Sequence, residues 1–307
     1  MSALLNWMTA NPVRAFLAAG LASLIALVAL PMAAWLPAGI IVLALLASGR
    51  IVAFAAAAGA SIALVWAFAP LFGVGPALVI ATVALGPSVL AGFALIGTRS
   101  LTFVFQALTV AACLLVIGIH VLLGDPQGVL MPVIAELEPM LRRTAETLSQ
   151  FGIERSPAEI GAATARVAWA TLGWMVLLHA FLAQCAGLWG FARLRESGLL
   201  GREFRRLELG HFIAWFFVAA FAAIVVSHRL LGHGWQVAED VFFVLAAAFL
   251  VQALAVVHGL RELQVVGVMP VVLAYVAVIL VPMALVGIGF ADTWVRFRER
   301  FAPRQGV

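Results

Sequence analysis

The feature that most limits what this chain can become is the length of its uncharged apolar stretches: Val52–Ile96 contains no Asp, Glu, Arg or Lys. About 20 apolar residues wound as a helix cross the ~30 Å hydrocarbon core of a bilayer. A backbone in that core has no water to bond, so each N–H and C=O must be paired inside its own helix or around a closed barrel. The period-two alternation of a membrane β-barrel is missing. These facts predict an all-α, polytopic transmembrane helix bundle. Composition agrees: 65% of the 307 residues are hydrophobic and 10% are charged, against roughly a quarter charged in soluble domains.

Breaks in the hydropathy mark nine spans, with eight as the alternative. Asn11-Pro12 supplies an N-cap followed by proline at the first helical position. It opens a segment at about 12–30 that Pro31 ends. Further segments cover about 33–49, 51–71, 76–97 and 100–123, separated by Gly49-Arg50 and by Gly73, Gly75 and Pro76, and closed at Gly124-Asp125-Pro126. Gly86-Pro87 predicts a kink inside the fourth. Ser156-Pro157-Ala158-Glu159 is a capping box, and the helical pattern runs on from it to about Phe191. The last three segments lie at about 211–231, 239–260 and 267–290. The expected organisation is therefore an N-terminal five-span half (1–123), a connector (124–164) and a C-terminal four-span half with a basic tail (165–307).

The connector between spans five and six is amphipathic. Leu130, Ile134, Leu137, Leu141 and Leu148 recur at helical steps, with Glu136, Arg142, Arg143 and Glu146 between them. That pattern predicts a helix on the membrane surface, which Pro139 divides in two. All 18 basic residues are arginine. Nine spans with the N-terminus inside set nine arginines against nine, so the positive-inside rule decides orientation only weakly. If the tail lies on the N-terminal side, one apolar segment after residue 209 does not span.

Three stretches of the C-terminal third, R-E-F-R-R-L-E-L-G-H-F, Q-A-L-A-V-V-H-G and G-I-G-F-A-D-T-W-V-R-F-R, together resemble the YybS-like family of bacterial membrane proteins. The resemblance covers about residues 200–300 and implies a multi-pass protein of the inner membrane with no catalytic set. His258, Gly259, Asp292, Arg296 and Arg298 match its pattern. The N-terminal helices are distantly similar to substrate-binding subunits of energy-coupling-factor transporters, which present a small-residue face to a membrane partner. Ala15, Ala19 and Ser23, and Ala18, Ala22 and Ala26, form such faces here.

No P-loop, HExxH, GxSxG or acidic metal cluster occurs, so the expectation is a non-enzyme without a cofactor. No clustered basic and aromatic footprint for nucleic acid is present either. Cys113 and Cys185 fall in apolar segments and lack metal or redox spacing. Polar side chains inside spans are where function is sought. Gln106, His179, Gln184, Gln252 and His258 are the candidates to bind a small solute, against the simpler reading of interhelical hydrogen bonding; His120 shares that simpler reading. Arg202, Arg205, Arg206, Asp292, Arg296 and Arg298 are candidates to contact lipid or a membrane protein partner, with an Asp292–Arg296 i,i+4 pair expected in a tail helix. His228, His233, Glu239 and Asp240 could meet around one turn, but a solvated loop is the stronger expectation there. Charged groups are absent from the middles of the spans, which disfavours an ion-driven pump. The expected role is a membrane subunit binding a small hydrophobic or weakly polar solute, with an envelope scaffold as the alternative.

Overall fold

The computed structural model describes residues 1–28, 35–232 and 234–301, and every regular element among them is an α-helix. The short α1 (Ser2–Thr9) meets α2 (Pro12–Val28) at a bend of 114°. The chain continues through α3 (Trp35–Ser48), α4 (Arg50–Phe72), α5 (Val74–Thr98) and α6 (Leu101–Leu123). The connector forms α7 (Pro126–Glu136), α8 (Glu138–Gln150) and α9 (Pro157–Arg166). Then come α10 (Ala168–Leu194), the short α11 (Leu199–Arg205), α12 (Gly210–Leu231) and α13 (Gln236–Glu262). The chain closes with α14 (Val268–Leu280), α15 (Pro282–Val295) and the single turn α16 (Phe297–Arg300).

Among the described residues, α4, α5, α6, α10, α12 and α13 are long and apolar enough to cross a membrane, giving six spans, or up to eight if each bent pair counts as one. This corrects the expectation of nine. The segment at 33–49 yields only the 14 residues of α3, about 21 Å of helix. The segment at 267–290 is not one helix, because Pro282 has no N–H to continue the ladder and α14 and α15 diverge by 120°. Side chains on the spans point outward with no polar cover: Ile51 is 77% exposed, Trp66 72% and Leu122 82%. Surfaces of that kind belong in lipid, and the chain is a multi-pass helical membrane protein.

The helices group into two compact units built from discontinuous stretches: 1–109, 176–212 and 248–307 form the first, and 110–175 and 213–247 the second. Small residues set the packing of the first. A Cβ on Gly59 of α4 would lie 2.1 Å from the carbonyl oxygen of Phe16 on α2, and one on Gly187 of α10 would lie 2.4 Å from Val42 of α3. Backbones approach this closely only where side chains are missing or small. Ala15 and Ala19 join Ala56 and Ala60 in the core of this unit. The face of α2 that carries Ala15 and Ala19 is thus spent against α4 of the same chain.

In the second unit the capping box forms in both directions. The Ser156 hydroxyl accepts from Glu159 N–H at 3.2 Å, and the Glu159 carboxylate accepts from Ser156 N–H at 2.8 Å. The helix expected to run unbroken to Phe191 is interrupted at Val167, between α9 and α10. The amphipathic connector is divided as Pro139 requires, at Leu137, and α8 buries none of its residues. Gly161 of α9 lets Ile134 of α7 approach, since a Cβ there would lie 2.7 Å from its side chain.

Candidate functional site

Three features stand out, two in the first unit and one in the second. The first is a polar clamp where the tail meets the link between α11 and α12. Helix α15 stops at Val295 because Arg296 takes a left-handed conformation (φ 51°), which turns the chain back and returns Arg298 toward Asp292. Asp292 is 2% exposed. Its carboxylate accepts from Arg298 Nη2 at 2.8 Å and from Phe297 N–H at 3.0 Å. Arg298 Nη1 donates to the carbonyls of Arg205 at 2.5 Å and Leu207 at 3.1 Å. Gln252, fully buried on α13, accepts from Leu209 N–H at 2.8 Å and donates to Gly289 O at 3.0 Å. Gly289 makes that contact attainable: a Cβ there would sit 2.0 Å from Phe249 O. Gln106 on α6 donates to Glu208 O at 2.8 Å. One short link is thereby held from α6, α13 and the tail. The expected Asp292–Arg296 pair is replaced by Asp292–Arg298, and Arg296 instead approaches Glu299 at 3.4 Å, because the helix ends before an i,i+4 contact can form.

Beside the clamp lies a cleft of about 220 Å³ lined by Arg205, Arg206, Glu208, Asp292, Arg296, Arg298 and Glu299. Five of the six candidate lipid or partner residues therefore line one place. Arg202 stands apart and pairs with Glu196. Arg205 also reaches Glu262 at 3.2 Å.

The candidate ligand residues do not converge. Gln106 and Gln252 serve the clamp. Gln184 donates to Ser88 O at 2.8 Å, leaving its own oxygen and the Ser88 hydroxyl buried without a protein partner among the described residues. His258 Nε2 meets the Tyr275 hydroxyl at 3.0 Å. His179 is half-buried on α10.

The second feature is an apolar groove of about 560 Å³, bordered by Leu5 and Met8 of α1, Ala22 of α2, Ile40 of α3 and Cys185 and Trp189 of α10. It exists because Ala22, Ala26, Gly39 and Ala186 are too small to fill the space between their helices. The guanidinium of Arg193 stands 5.6 Å from the ring centroid of Trp189, one of the lining residues. A search confined to polar side chains passes over such a site. Its trace in the sequence is the run of small residues facing large ones on three different helices.

The third feature belongs to the second unit. His120 Nε2 lies 2.7 Å from Asp240 Oδ2, with both side chains buried (6% and 3% exposed). Gln236 donates to Asp240 at 3.1 Å and to Arg166 O at 2.7 Å. Arg166 pairs with Glu239 at 2.9 Å, and His228 approaches Glu239 at 3.4 Å. Asp240 therefore turns away from His228 toward His120. His233 lies outside the described residues. Among the described residues no group of three or more His, Cys, Asp or Glu could hold a metal ion.

No family profile matches this chain, and no curated protein or solved structure matches it.

Proposed function

We propose that the protein is a non-catalytic subunit of a bacterial inner membrane that binds a small hydrophobic or weakly polar solute for transport. The observation that carries this reading is the groove between α1, α2, α3 and α10. Its size falls within the roughly 300–1,000 Å³ of small-molecule sites, and its lining is almost wholly apolar. The N-terminal bend supports the same reading, since it sets Leu5 and Met8 on the groove wall. The test is native mass spectrometry of the detergent-purified protein. A bound small molecule other than detergent is expected in the wild type and in the control Leu90→Phe, whose site is 72% exposed and off the groove. It is expected to be lost in Ala22→Phe, which fills the groove. No adduct, or one indifferent to Ala22→Phe, contradicts the reading.

One observation favours the scaffold alternative: α8 is amphipathic yet buries none of its residues, and although Leu141 lies near Gly161 of α9, most of its surface is left for a partner. Under that reading, joint replacement of Arg202, Arg205 and Arg206 by glutamine changes the set of membrane proteins crosslinked to the chain, and an unchanged set contradicts it.

A further inference from the structure

We infer that α14 and α15 form a re-entrant hairpin, so that the tail returns to the membrane face carrying the α11–α12 link, held there by Arg298 as a positioning residue.

The lengths come first. Helix α14 has 13 residues and α15 has 14, about 20 Å each, so neither crosses a ~30 Å core alone. Set end to end they would cross it, but they diverge by 120° at Val281-Pro282. The second helix turns back. The contacts of α15 fix the direction of return. Gly289 lies against Phe249 and Asp292 against Gln252, so α15 runs parallel to α13 toward the end of α13. That end is tied to the link, because Glu262 pairs with Arg205. Finally Arg298, six residues past Asp292, donates to two carbonyls of the link, Arg205 O and Leu207 O. Tail and link are within hydrogen-bonding distance, so they share a membrane face.

The side chains at the turn fit a place within the hydrocarbon. Ile279 is 82% exposed, Leu280 71% and Val281 54%, and no charged residue occurs between Val265 and Gly289. The parity of the chain then resolves. Helix α12 leaves the link, α13 returns to it, and the hairpin dips and comes back. The Ser48 hydroxyl donates to Thr9 O at 2.7 Å, which sets the start of α2 with Arg14 beside the start of α4 with Arg50. With the tail on this face as well, twelve of the described arginines lie on the side of the link and five on the other, those of 142–166 and Arg229. The positive-inside rule assigns the larger set to the cytoplasm.

Single-cysteine labelling of the full chain in cells and inverted vesicles tests this, in a background where Cys113 and Cys185 are alanine and with a membrane-impermeant maleimide as probe. Ser197→Cys, in the turn that leads into α11 and so to the link, and Arg300→Cys on the tail are expected to react from the same side, Arg229→Cys from the opposite side, and Ile279→Cys from neither. Reaction of Arg300→Cys from the side of Arg229→Cys overturns the proposal, as does ready reaction of Ile279→Cys from that side. Protease access to a tag placed after Val307 gives the same reading without a substitution: cleavage from the side of Ser197 supports the hairpin, and cleavage from the other side refutes it.

Discussion

Replacing Arg298 by alanine removes three hydrogen bonds at once and leaves the carboxylate of Asp292, 2% exposed, without its countercharge. Breaking a buried ion pair by deleting one partner costs about 3–5 kcal/mol, chiefly because the survivor stays buried and charged. Here the lower end applies. Asp292 keeps the Phe297 N–H at 3.0 Å and a long contact to Gln252 at 3.4 Å, and the Arg298 side chain is itself 18% exposed. The expected loss is about 3 kcal/mol, roughly a hundredfold in the folded-to-unfolded ratio. Adding Asp292→Asn removes the stranded charge, so the double variant is expected to recover about 2 kcal/mol. The assay is reversible unfolding in mixed micelles with rising dodecyl sulfate, read by tryptophan fluorescence for wild type, both single variants and the double. An Arg298→Ala loss below about 1 kcal/mol refutes the reasoning. So does a double variant no more stable than Arg298→Ala alone, because the argument rests on an uncompensated charge.

Two buried glutamines should respond differently in the same titration. Gln184→Met gives up one hydrogen bond and one already unpaired oxygen, so its cost stays below about 1 kcal/mol, whereas Gln252→Met strands the buried Leu209 N–H and Gly289 O and costs about 2–3 kcal/mol. Equal effects would contradict the assigned roles. At the start of α9, the Ser156 backbone N–H, and after it the Ser156 hydroxyl, hold the Glu159 carboxyl below the usual carboxylate range. A depressed folded value means that the cap contributes fully above the ordinary glutamate pKa of about 4.3 and is lost as pH falls through the folded value. Amide exchange in the first turn of α9, measured relative to the intrinsic rate, should therefore be flat from neutral pH down to about 5 and lose protection below that; protection unchanged under acid would be the contrary result.

How much was legible in the sequence depended on how local each signal is. Ser156 and Glu159 announce their capping box because both partners sit within one turn, and Pro139 announces a division for the same reason. The Asp292–Arg298 pair was not legible. The spacing favoured Arg296 as the partner, and only the left-handed turn at Arg296 itself brings Arg298 round instead. The short α3 and the divided α14–α15 read as ordinary spans because hydropathy registers apolar length and is blind to a change of direction at Pro282. The ligand candidates failed to converge for a related reason. A neutral glutamine in a span is as useful for holding a carbonyl of a link as for holding a solute, and Gln106 and Gln252 do the former. The groove left only an indirect trace, alanines and glycines distributed over helices that the chain order keeps apart.

Everything rests on lipid being the solvent of the long helices, and α6 offers the most direct measurement of it. Nitroxides placed at Phe103, Leu114 and Val121, all exposed on that helix, can be examined in proteoliposomes for collision with oxygen and with a water-soluble nickel complex. The account predicts that Leu114 meets oxygen most often and nickel least, with nickel access rising toward both helix ends. Nickel access at Leu114 equal to that at a nitroxide on Arg300 would contradict it.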